Sequence, residues 1–370
     1  MDIQAAVSRE AGKPFSLETL QLDEPRDDEL RVRIVGVGLC HTDLVGAAGA
    51  LPLRLPAVFG HEGAGIVEAV GRSVTKVVPG DRVVLSFDSC GGCPRCELHE
   101  PAYCRDFGPL NYRGRRRDGS PTLSDAAGPV AGSFLGQSSF ASHVLARERN
   151  VVKLPDGMPL EIAGPLGCGV QTGAGAIMRS LACRAGSSLL VLGGGAVGLS
   201  AVLGAVVQSC ARIVVVEPLA ARRDLALQLG ATEAVDPRAG DLAVALKALA
   251  PQGFDYALDT TGVPAVVEAA AAALNAHASF GFVAIPSAEN IAARLPLTMT
   301  ALMLRGLTYR GILEGDSDPD EFIPQLCALH MAGRFPFDRL VQCYPLAEIN
   351  QAVADQHAGR CVKVVLLPPG

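Results

Sequence analysis

The chain has 370 residues, of which 49% are hydrophobic and 19% are charged. At about 150 residues per domain this length predicts two domains, and no run of about 18 apolar residues indicates a membrane span. The formal net charge of −6 argues against a general polyanion binder, so we expect no nucleic-acid partner. Residues 1–10 lack the apolar segment of a signal peptide, which predicts a cytoplasmic protein.

The region up to residue 154 has the pattern of short strands separated by loops. Apolar and alternating stretches are punctuated by proline and glycine, at residues 3–7, 30–37, 65–70, 82–86 and 151–154. Helical patterns are scarce there. The first part of the chain is therefore predicted to be a β-rich domain.

Cysteine usage indicates metal binding rather than disulfides, because the chain contains 11 cysteines, an odd number. Cys90, Cys93, Cys96 and Cys104 follow the pattern C-x2-C-x2-C-x7-C. Four thiolates saturate a tetrahedral zinc, which predicts a structural site, whereas the spacing matches neither ferredoxin pattern. Such a site carries a formal charge of about −2, which we expect Arg95, Arg105 and the arginines of residues 113–117 to balance in part.

Five further cysteines stand in apolar surroundings. We predict that they are small core residues, namely Cys183, Cys210, Cys327, Cys343 and Cys361.

From about residue 170 the pattern changes to alternating strands and helices. Buried strands are predicted at residues 189–192, 212–216, 256–259 and 279–284, with alanine-rich helices such as 218–228 and 264–274 between them. This alternation predicts a doubly wound parallel sheet in an α/β domain.

A glycine fingerprint lies between the first two of these strands. Gly193, Gly195 and Gly198 stand in G-x-G-x-x-G register, and Glu217 ends the next strand. Such a turn lets a pyrophosphate approach bare backbone at a helix N-terminus, and the acid can meet a ribose. A glycine turn without a ligand is the alternative, but the order of strand, turn, helix, strand and acid favours a dinucleotide site.

Along the chain come Cys40, His61, the four-cysteine segment, Cys168 and the glycine fingerprint, in this order. With these features in this order, the chain resembles the zinc-containing medium-chain alcohol dehydrogenases along its whole length. It is most similar to the aryl-alcohol (benzyl alcohol) dehydrogenase branch in residues 39–43, 86–87, 101–104, 114–120 and 134–140. The resemblance implies a GroES-like catalytic domain at residues 1–169 with a zinc lobe at about 88–106, a Rossmann cofactor domain at 170–309, and a return to the catalytic domain at 310–370.

The resemblance implies that Cys40, His61 and Cys168 bind a catalytic zinc with one position open, so that the protein holds two zinc ions. Glu62 corresponds to an acid that can visit the metal during ligand exchange. Asp43 corresponds to the carboxylate that orients the His61 ring by accepting a hydrogen bond from the ring nitrogen that does not bind the metal.

The same resemblance assigns proton transfer to the hydroxyl of Thr42. The position five residues after Cys40 often holds a histidine that completes the relay, but here it is Val45. We therefore expect the proton to leave through the nicotinamide ribose and water, or through His41.

The expected cofactor is NAD rather than NADP, because Glu217 would accept ribose hydroxyls and repel a 2′-phosphate. Arg222 matches a basic position that touches the adenosine ribose. Lys363 matches a basic position near the pyrophosphate.

Resemblance also places Phe87, Leu110, Phe134 and Leu135 in the substrate pocket, which suits a primary aromatic or allylic alcohol. The alternatives are a terpene alcohol such as geraniol, a hydroxymethylglutathione substrate, or a non-catalytic regulator that binds zinc and NAD. Family members with such a zinc lobe associate through their nucleotide sheets, so a homodimer or homotetramer is expected.

Overall fold

The computed structural model describes residues 1–285 and 289–369. Its strands are β1 (Asp2–Ser8), β2 (Ser16–Leu22), β3 (Glu29–Gly38), β4 (Ala57–Val58), β5 (Gly63–Val70), β6 (Arg82–Leu85), β7 (Leu123–Asp125), β8 (Gly128–Val130), β9 (His143–Arg147), β10 (Val151–Lys153), β11 (Ser188–Leu192), β12 (Arg212–Val216), β13 (Glu233–Val235), β14 (Phe254–Asp259), β15 (Leu274–Phe282), β16 (Thr308–Gly311), β17 (Val341–Pro345) and β18 (Lys363–Leu367).

The α-helices are short and mostly follow strands. They are α1 (His41–Ala47), α2 (Pro94–Glu97), α3 (Phe107–Tyr112), α4 (Leu160–Ala163), α5 (Gly169–Gly175), α6 (Ala196–Val207), α7 (Ala220–Gln228), α8 (Leu242–Leu249), α9 (Pro264–Ala272), α10 (Met299–Arg305), α11 (Pro319–Met331) and α12 (Ile349–His357). No helix within the described residues is long and apolar enough to cross a membrane.

The chain divides into two units. The first unit comprises residues 1–169, 317–333 and 338–370, and the second comprises residues 170–316 and 334–337.

The first unit is built on two sheets. A five-stranded sheet has the order β4-β1-β2-β7-β8, and a seven-stranded sheet has the order β10-β6-β5-β3-β18-β17, with β9 also paired to β3. Most neighbouring strands are antiparallel, but β17 and β18 run parallel. The predicted β-rich domain is confirmed, and the last strand of the chain pairs with β3 next to the segment that carries Cys40.

The second unit contains a six-stranded sheet with the order β13-β12-β11-β14-β15-β16, and all its neighbouring strands are parallel. β11 and β12 are almost wholly buried and apolar, as expected for strands covered on both faces. The predicted doubly wound parallel sheet is confirmed.

Two of the five cysteines predicted to be core residues are not buried. Cys343 is exposed and Cys210 is half-buried, whereas Cys183, Cys327 and Cys361 are buried. Cys343 lies on β17 at the edge of its sheet and Cys210 lies in the turn before β12, so an apolar sequence neighbourhood did not ensure burial.

Candidate active site

Asp43 organises the segment that follows β3. Cys40 is the N-cap residue of α1, and its backbone N–H donates to Oδ2 of Asp43 at 2.9 Å. The other carboxylate oxygen, Oδ1, accepts from the N–H of Gly60 at 2.9 Å and lies 2.8 Å from Nδ1 of His61. Because Asp43 is fully buried, its charge is held by these donors. Nδ1 of His61 therefore carries the proton, which leaves Nε2 free to bind a metal.

Four potential metal ligands meet beside this carboxylate. The ligand atoms of Cys40, His61, Glu62 and Cys168 lie within 4.8 Å of one another, and all but Cys40 are buried. A hydrogen bond from Cys168, helped by His61, holds the pKa of the Cys40 thiol well below its usual range despite burial. Two sulfurs and one imidazole nitrogen fit the donor set of a zinc site with an open position.

Glu62 is held away from solvent by Lys363. The ammonium group of Lys363 donates to Oε1 of Glu62 at 2.6 Å and to the carbonyl of Leu39 at 3.1 Å. The backbone N–H of Gly169 also donates to Oε1 at 3.1 Å. Burial raises the pKa of Glu62, although Lys363 opposes that shift. The structure thus places Lys363 against the acid of the cluster, a contact that sequence reasoning did not predict.

Two further residues of this site were missed by sequence reasoning. A Cβ added to Gly38 would lie 1.8 Å from Oε2 of Glu62, so glycine leaves the space that this carboxylate occupies. The side chain of Gln137 is buried, donates to the carbonyl of His61 and accepts from the N–H of Gly63, both at 2.9 Å. The glycine at the end of a strand was a usable signal, whereas Gln137 carried none.

The residues assigned to proton transfer lie on α1. The hydroxyl of Thr42 is 3.8 Å from the sulfur of Cys40. Val45 is half-buried and His41 is exposed on the same helix.

The residues predicted to form the substrate pocket are all buried, with Leu110 the most accessible at 9% exposure: Phe87, Leu110, Phe134 and Leu135. The ring of Phe134 meets that of His61 edge-on at 5.6 Å, so an aromatic wall reaches a potential metal ligand. Phe107 packs on Phe87 at 5.6 Å, and Tyr112 lies 6.3 Å from Phe134. Phe107 and Tyr112, at the two ends of α3, extend this wall and were not predicted.

The side chains of the four-cysteine segment converge to form a second cluster of potential metal ligands. The sulfurs of Cys90, Cys93, Cys96 and Cys104 lie within 4.8 Å of one another. Cys96 is 3.7 Å from Cys93 and 4.0 Å from Cys90, close to the separation of about 3.8 Å that tetrahedral bonds of 2.3 Å require. Backbone N–H groups lower the pKa of the Cys93 thiol to about 6, while burial raises that of Cys104 to about 12. The cluster fits a structural zinc.

The predicted charge-balancing role of the arginines does not hold for Arg116. Its guanidinium is buried and pairs with Glu29 at 2.7 Å and Asp23 at 2.6 Å. Arg116 therefore anchors its loop to the start of β3 through the buried carboxylate of Glu29.

The glycine fingerprint in the second unit has a distinct role at each position. Gly193 has a φ of +101°, and a Cβ there would lie 2.4 Å from Oγ1 of Thr260. At Gly198 a Cβ would lie 1.9 Å from the carbonyl of Gly193. At Gly195, the N-cap of α6, an added Cβ meets no atom of the described residues within 4 Å. Two glycines are required by the fold, and the third leaves open the space where a pyrophosphate would approach.

Glu217 directly follows β12 beside this turn and is 4% exposed. Its carboxylate accepts from the N–H of Gly194 at 2.7 Å and from that of Leu219 at 2.9 Å. Arg223 donates to the carbonyl of Glu217 at 2.8 Å and pairs with Asp236 at 3.2 Å. Arg222, the predicted ribose contact, is half-buried at the start of α7.

Comparisons with known proteins agree with both halves of this description. Residues 26–156 match the family described as alcohol dehydrogenase GroES-like domain, and residues 196–329 match the zinc-binding dehydrogenase family. The chain is 49% identical to a geraniol dehydrogenase of Castellaniella defragrans over 366 residues, which cover 98% of this chain and 97% of that protein.

Solved structures also match the whole chain. An alcohol dehydrogenase zinc-binding domain protein from Burkholderia ambifaria is 48% identical with a TM-score of 0.97, and both chains are covered completely. Benzyl alcohol dehydrogenase from Acinetobacter calcoaceticus is 40% identical with a TM-score of 0.95, again over 100% of each chain. The predicted family is therefore confirmed, and the chain belongs to the zinc-dependent medium-chain alcohol dehydrogenases.

Proposed function

We propose that the protein oxidises a primary aromatic or allylic alcohol to its aldehyde and transfers the hydride to NAD. The balanced reaction converts alcohol and NAD⁺ into aldehyde, NADH and one proton. The observation that carries this proposal is the donor set of Cys40, His61 and Cys168 with the ring of Phe134 packed against His61.

The first unit would hold the alcohol. A zinc bound by Cys40, His61 and Cys168 would supply Lewis-acid character at the alcohol oxygen, and two thiolates with a neutral imidazole keep that site formally neutral. Asp43 fixes the His61 ring by accepting its Nδ1 proton. Glu62, kept next to these ligands by Lys363, is the acid proposed to approach the metal during ligand exchange.

Thr42 is proposed to take the alcohol proton. Its hydroxyl lies near Cys40, and a hydroxyl can accept one proton while donating another. Val45 cannot continue the relay, so the proton is proposed to leave through the cofactor ribose and water or through the exposed ring of His41.

The second unit would hold the dinucleotide, with its pyrophosphate at Gly195 and its adenosine ribose at Glu217 and Arg222. Glu217 favours NAD because its charge repels a 2′-phosphate. Arg223 does not counter this preference, since its guanidinium is engaged by Asp236 and by a backbone carbonyl. A contact between Lys363 and the pyrophosphate remains a prediction, since it requires the ammonium group to exchange part of its bonding to Glu62.

The substrate class rests on the aromatic wall formed by Phe87, Phe107, Tyr112 and Phe134. Flat π-systems pack well on such rings. The names of two similar proteins, geraniol dehydrogenase and benzyl alcohol dehydrogenase, refer to primary alcohols whose carbinol carbon is attached to an sp² carbon. This shared chemistry supports an aromatic or allylic alcohol.

A homodimer is proposed on the basis of an exposed apolar segment. On α10 the side chains of Met299, Met303 and Leu304 are 89%, 72% and 73% exposed, respectively, and β16 is the edge strand of the parallel sheet. Exposed apolar side chains beside an edge strand favour association with a second copy of the chain. Sedimentation velocity tests this, and a monomer would refute it.

Initial rates of NADH formation by zinc-loaded protein test the proposed function. The panel comprises benzyl, cinnamyl and geranyl alcohols, ethanol and hydroxymethylglutathione. We expect kcat/KM for the first three to exceed that for ethanol by at least about a hundredfold, because a buried apolar group contributes a few kcal/mol. A preference for hydroxymethylglutathione would refute the substrate class, and no NADH from any alcohol would favour a regulator.

A further inference from the structure

A histidine and two carboxylates meet outside both cysteine-containing clusters. The potential ligand atoms of His99, Asp318 and Glu321 all lie within 4.8 Å of one another. All three residues belong to the first unit. His99 lies in the four-cysteine segment, between Cys96 and Cys104, whereas the two carboxylates lie at the start of α11. The cluster therefore joins two segments that are distant in the chain.

The start of α11 orients Asp318 toward the histidine ring. Asp318 is the N-cap residue of this helix, and its Oδ1 accepts from the N–H of Asp320 at 3.1 Å. Its other oxygen, Oδ2, lies 2.9 Å from Nδ1 of His99. The side chain of Asp318 is only 8% exposed. One oxygen thus caps the helix while the other faces the cluster.

Helix geometry brings Glu321 to the same place. Glu321 stands three residues after Asp318, and side chains at this spacing are neighbours on a helix surface. Its Oε1 lies 3.4 Å from Nδ1 of His99. The remaining acid of this turn, Asp320, pairs with Lys76 at 2.5 Å. Two carboxylates therefore approach one imidazole nitrogen, while the charge of the nearby lysine is engaged by the third.

The separations from Nδ1 of His99 match those between ligands of a metal ion. Bonds of about 2.0–2.1 Å place tetrahedral ligands about 3.3 Å apart and adjacent octahedral ligands about 3.0 Å apart. The observed separations are 2.9 Å to Asp318 and 3.4 Å to Glu321. With a neutral imidazole the three side chains carry a formal charge of about −2, which a divalent cation would neutralise.

We propose that His99, Asp318 and Glu321 bind a divalent transition-metal cation such as zinc, at a third metal site of the protein. One nitrogen and two oxygens suit zinc, cobalt or manganese, whereas calcium takes about six to eight oxygen ligands. Nδ1 of His99 binds the ion once its proton has left, and the ring then carries a proton on Nε2. Water completes the coordination, since the side chains of His99 and Glu321 are 66% and 53% exposed.

This exposure limits how tightly the ion is held. Three protein ligands bind it and two of them reach water, so we expect the ion to exchange on dialysis while the cysteine clusters retain zinc. Binding would link the four-cysteine segment to α11 and raise the midpoint of thermal unfolding, because it favours the folded chain. None of this depends on alcohol oxidation.

Cobalt(II) added to zinc-loaded, full-length protein tests the site. Equilibrium dialysis at a moderate excess of cobalt should show one bound cobalt ion per chain in addition to the zinc. Its absorption spectrum should contain the weak d–d bands of nitrogen and oxygen ligands without an intense sulfur-to-cobalt charge-transfer band. The spectrum thus distinguishes this site from exchange of cobalt into either cysteine cluster.

Three variants sharpen the test. His99→Ala and Glu321→Gln should each weaken cobalt binding at least about tenfold, since even loss of a partner outside the ligand shell costs about 10- to 100-fold. Retained zinc in each variant would show that it is folded. The control is His277→Ala, which alters an exposed histidine with the same φ of +59° as His99. Among the described residues His277 belongs to no group of three potential ligands, so cobalt binding should not change.

Three outcomes would overturn the proposal. They are undiminished cobalt binding by His99→Ala, a thiolate charge-transfer band in the cobalt spectrum, and no bound cobalt in the unaltered protein.

Discussion

The ammonium nitrogen of Lys363 lies 2.5 Å from Oε2 of Glu62, and the two side chains are 3% and 0% exposed. This ion pair joins the last strand of the chain to the residue that follows His61. Burial lowers the pKa of Lys363, but Glu62 and Cys40 more than offset this and raise it. Each charge is therefore tolerated in the interior only because the other is present.

Replacing Lys363 by methionine should leave the buried carboxylate of Glu62 without its charged partner. We expect the free energy of unfolding to fall by about 3–5 kcal/mol, measured by urea denaturation. Glu62→Gln combined with Lys363→Met should recover part of this loss, since no charge is then left unpaired. The control is Lys153→Met, because the exposed ammonium group of Lys153 pairs with Asp81 and should contribute at most about 1 kcal/mol. Equal losses for the two single variants would contradict the buried-pair account.

Asp43→Asn should weaken the catalytic zinc site selectively. The variant removes the charge that Nδ1 of His61 faces, so zinc affinity at this site should fall by about 10- to 100-fold. Competition with a chelator measures this, and the four-cysteine site in the same molecule is the internal control. Asp118→Asn, on an exposed carboxylate paired with Arg26, should leave both sites unchanged. Retention of both zinc ions by Asp43→Asn would show that the carboxylate does not support the ligand.

Gly195→Ala and Gly198→Ala should separate the ligand role of the glycine turn from its folding role. A methyl group at Gly195 enters open space, so stability should hold while the Kd for NAD rises at least about tenfold, roughly the loss of one hydrogen bond to a charged group. At Gly198 the methyl group meets a carbonyl, so stability should fall by about 1–3 kcal/mol. Calorimetry of binding and of unfolding measures both, and unchanged affinity in Gly195→Ala would place the pyrophosphate elsewhere.

Glu217→Gln should relax the preference for NAD over NADP. The glutamine keeps the length of the side chain and one acceptor for the N–H of Gly194, but it removes the charge that repels a 2′-phosphate. We expect the ratio of kcat/KM for the two cofactors to fall by at least about tenfold. Glu217→Ala should do the same but also loosen the turn. If neither variant changes the ratio, another residue determines the preference.

The sequence predicted those parts of the site that depend on the spacing of residues along the chain. The C-x2-C-x2-C-x7-C pattern brings its own four sulfurs together, and the glycine register of residues 193–198 dictates its own turn. Alternating and continuous apolar stretches likewise predicted the β-rich character of the first unit and the parallel sheet of the second. The cysteine cluster and the glycine turn depend on contacts between residues near one another in the chain.

Contacts between distant residues were not readable. Lys363 reaches Glu62 only because β18 pairs with β3, and the space for this carboxylate comes from Gly38. Arg116 was assigned to the wrong partner because its buried pair with Glu29 depends on how a loop folds back on β3. Gln137, Phe107 and Tyr112 join the site through tertiary packing that no local pattern specifies.

Cys40, His61 and Cys168 are proposed to hold the zinc on which alcohol oxidation depends. The most direct test measures zinc per chain and NADH formation for Cys168→Ser beside Cys343→Ser, which alters an exposed cysteine outside both clusters. We predict that Cys168→Ser keeps only the four-cysteine zinc and loses at least about a hundredfold in kcat, while Cys343→Ser retains two zinc ions and full activity. Undiminished NADH formation by Cys168→Ser with one zinc per chain would contradict the account.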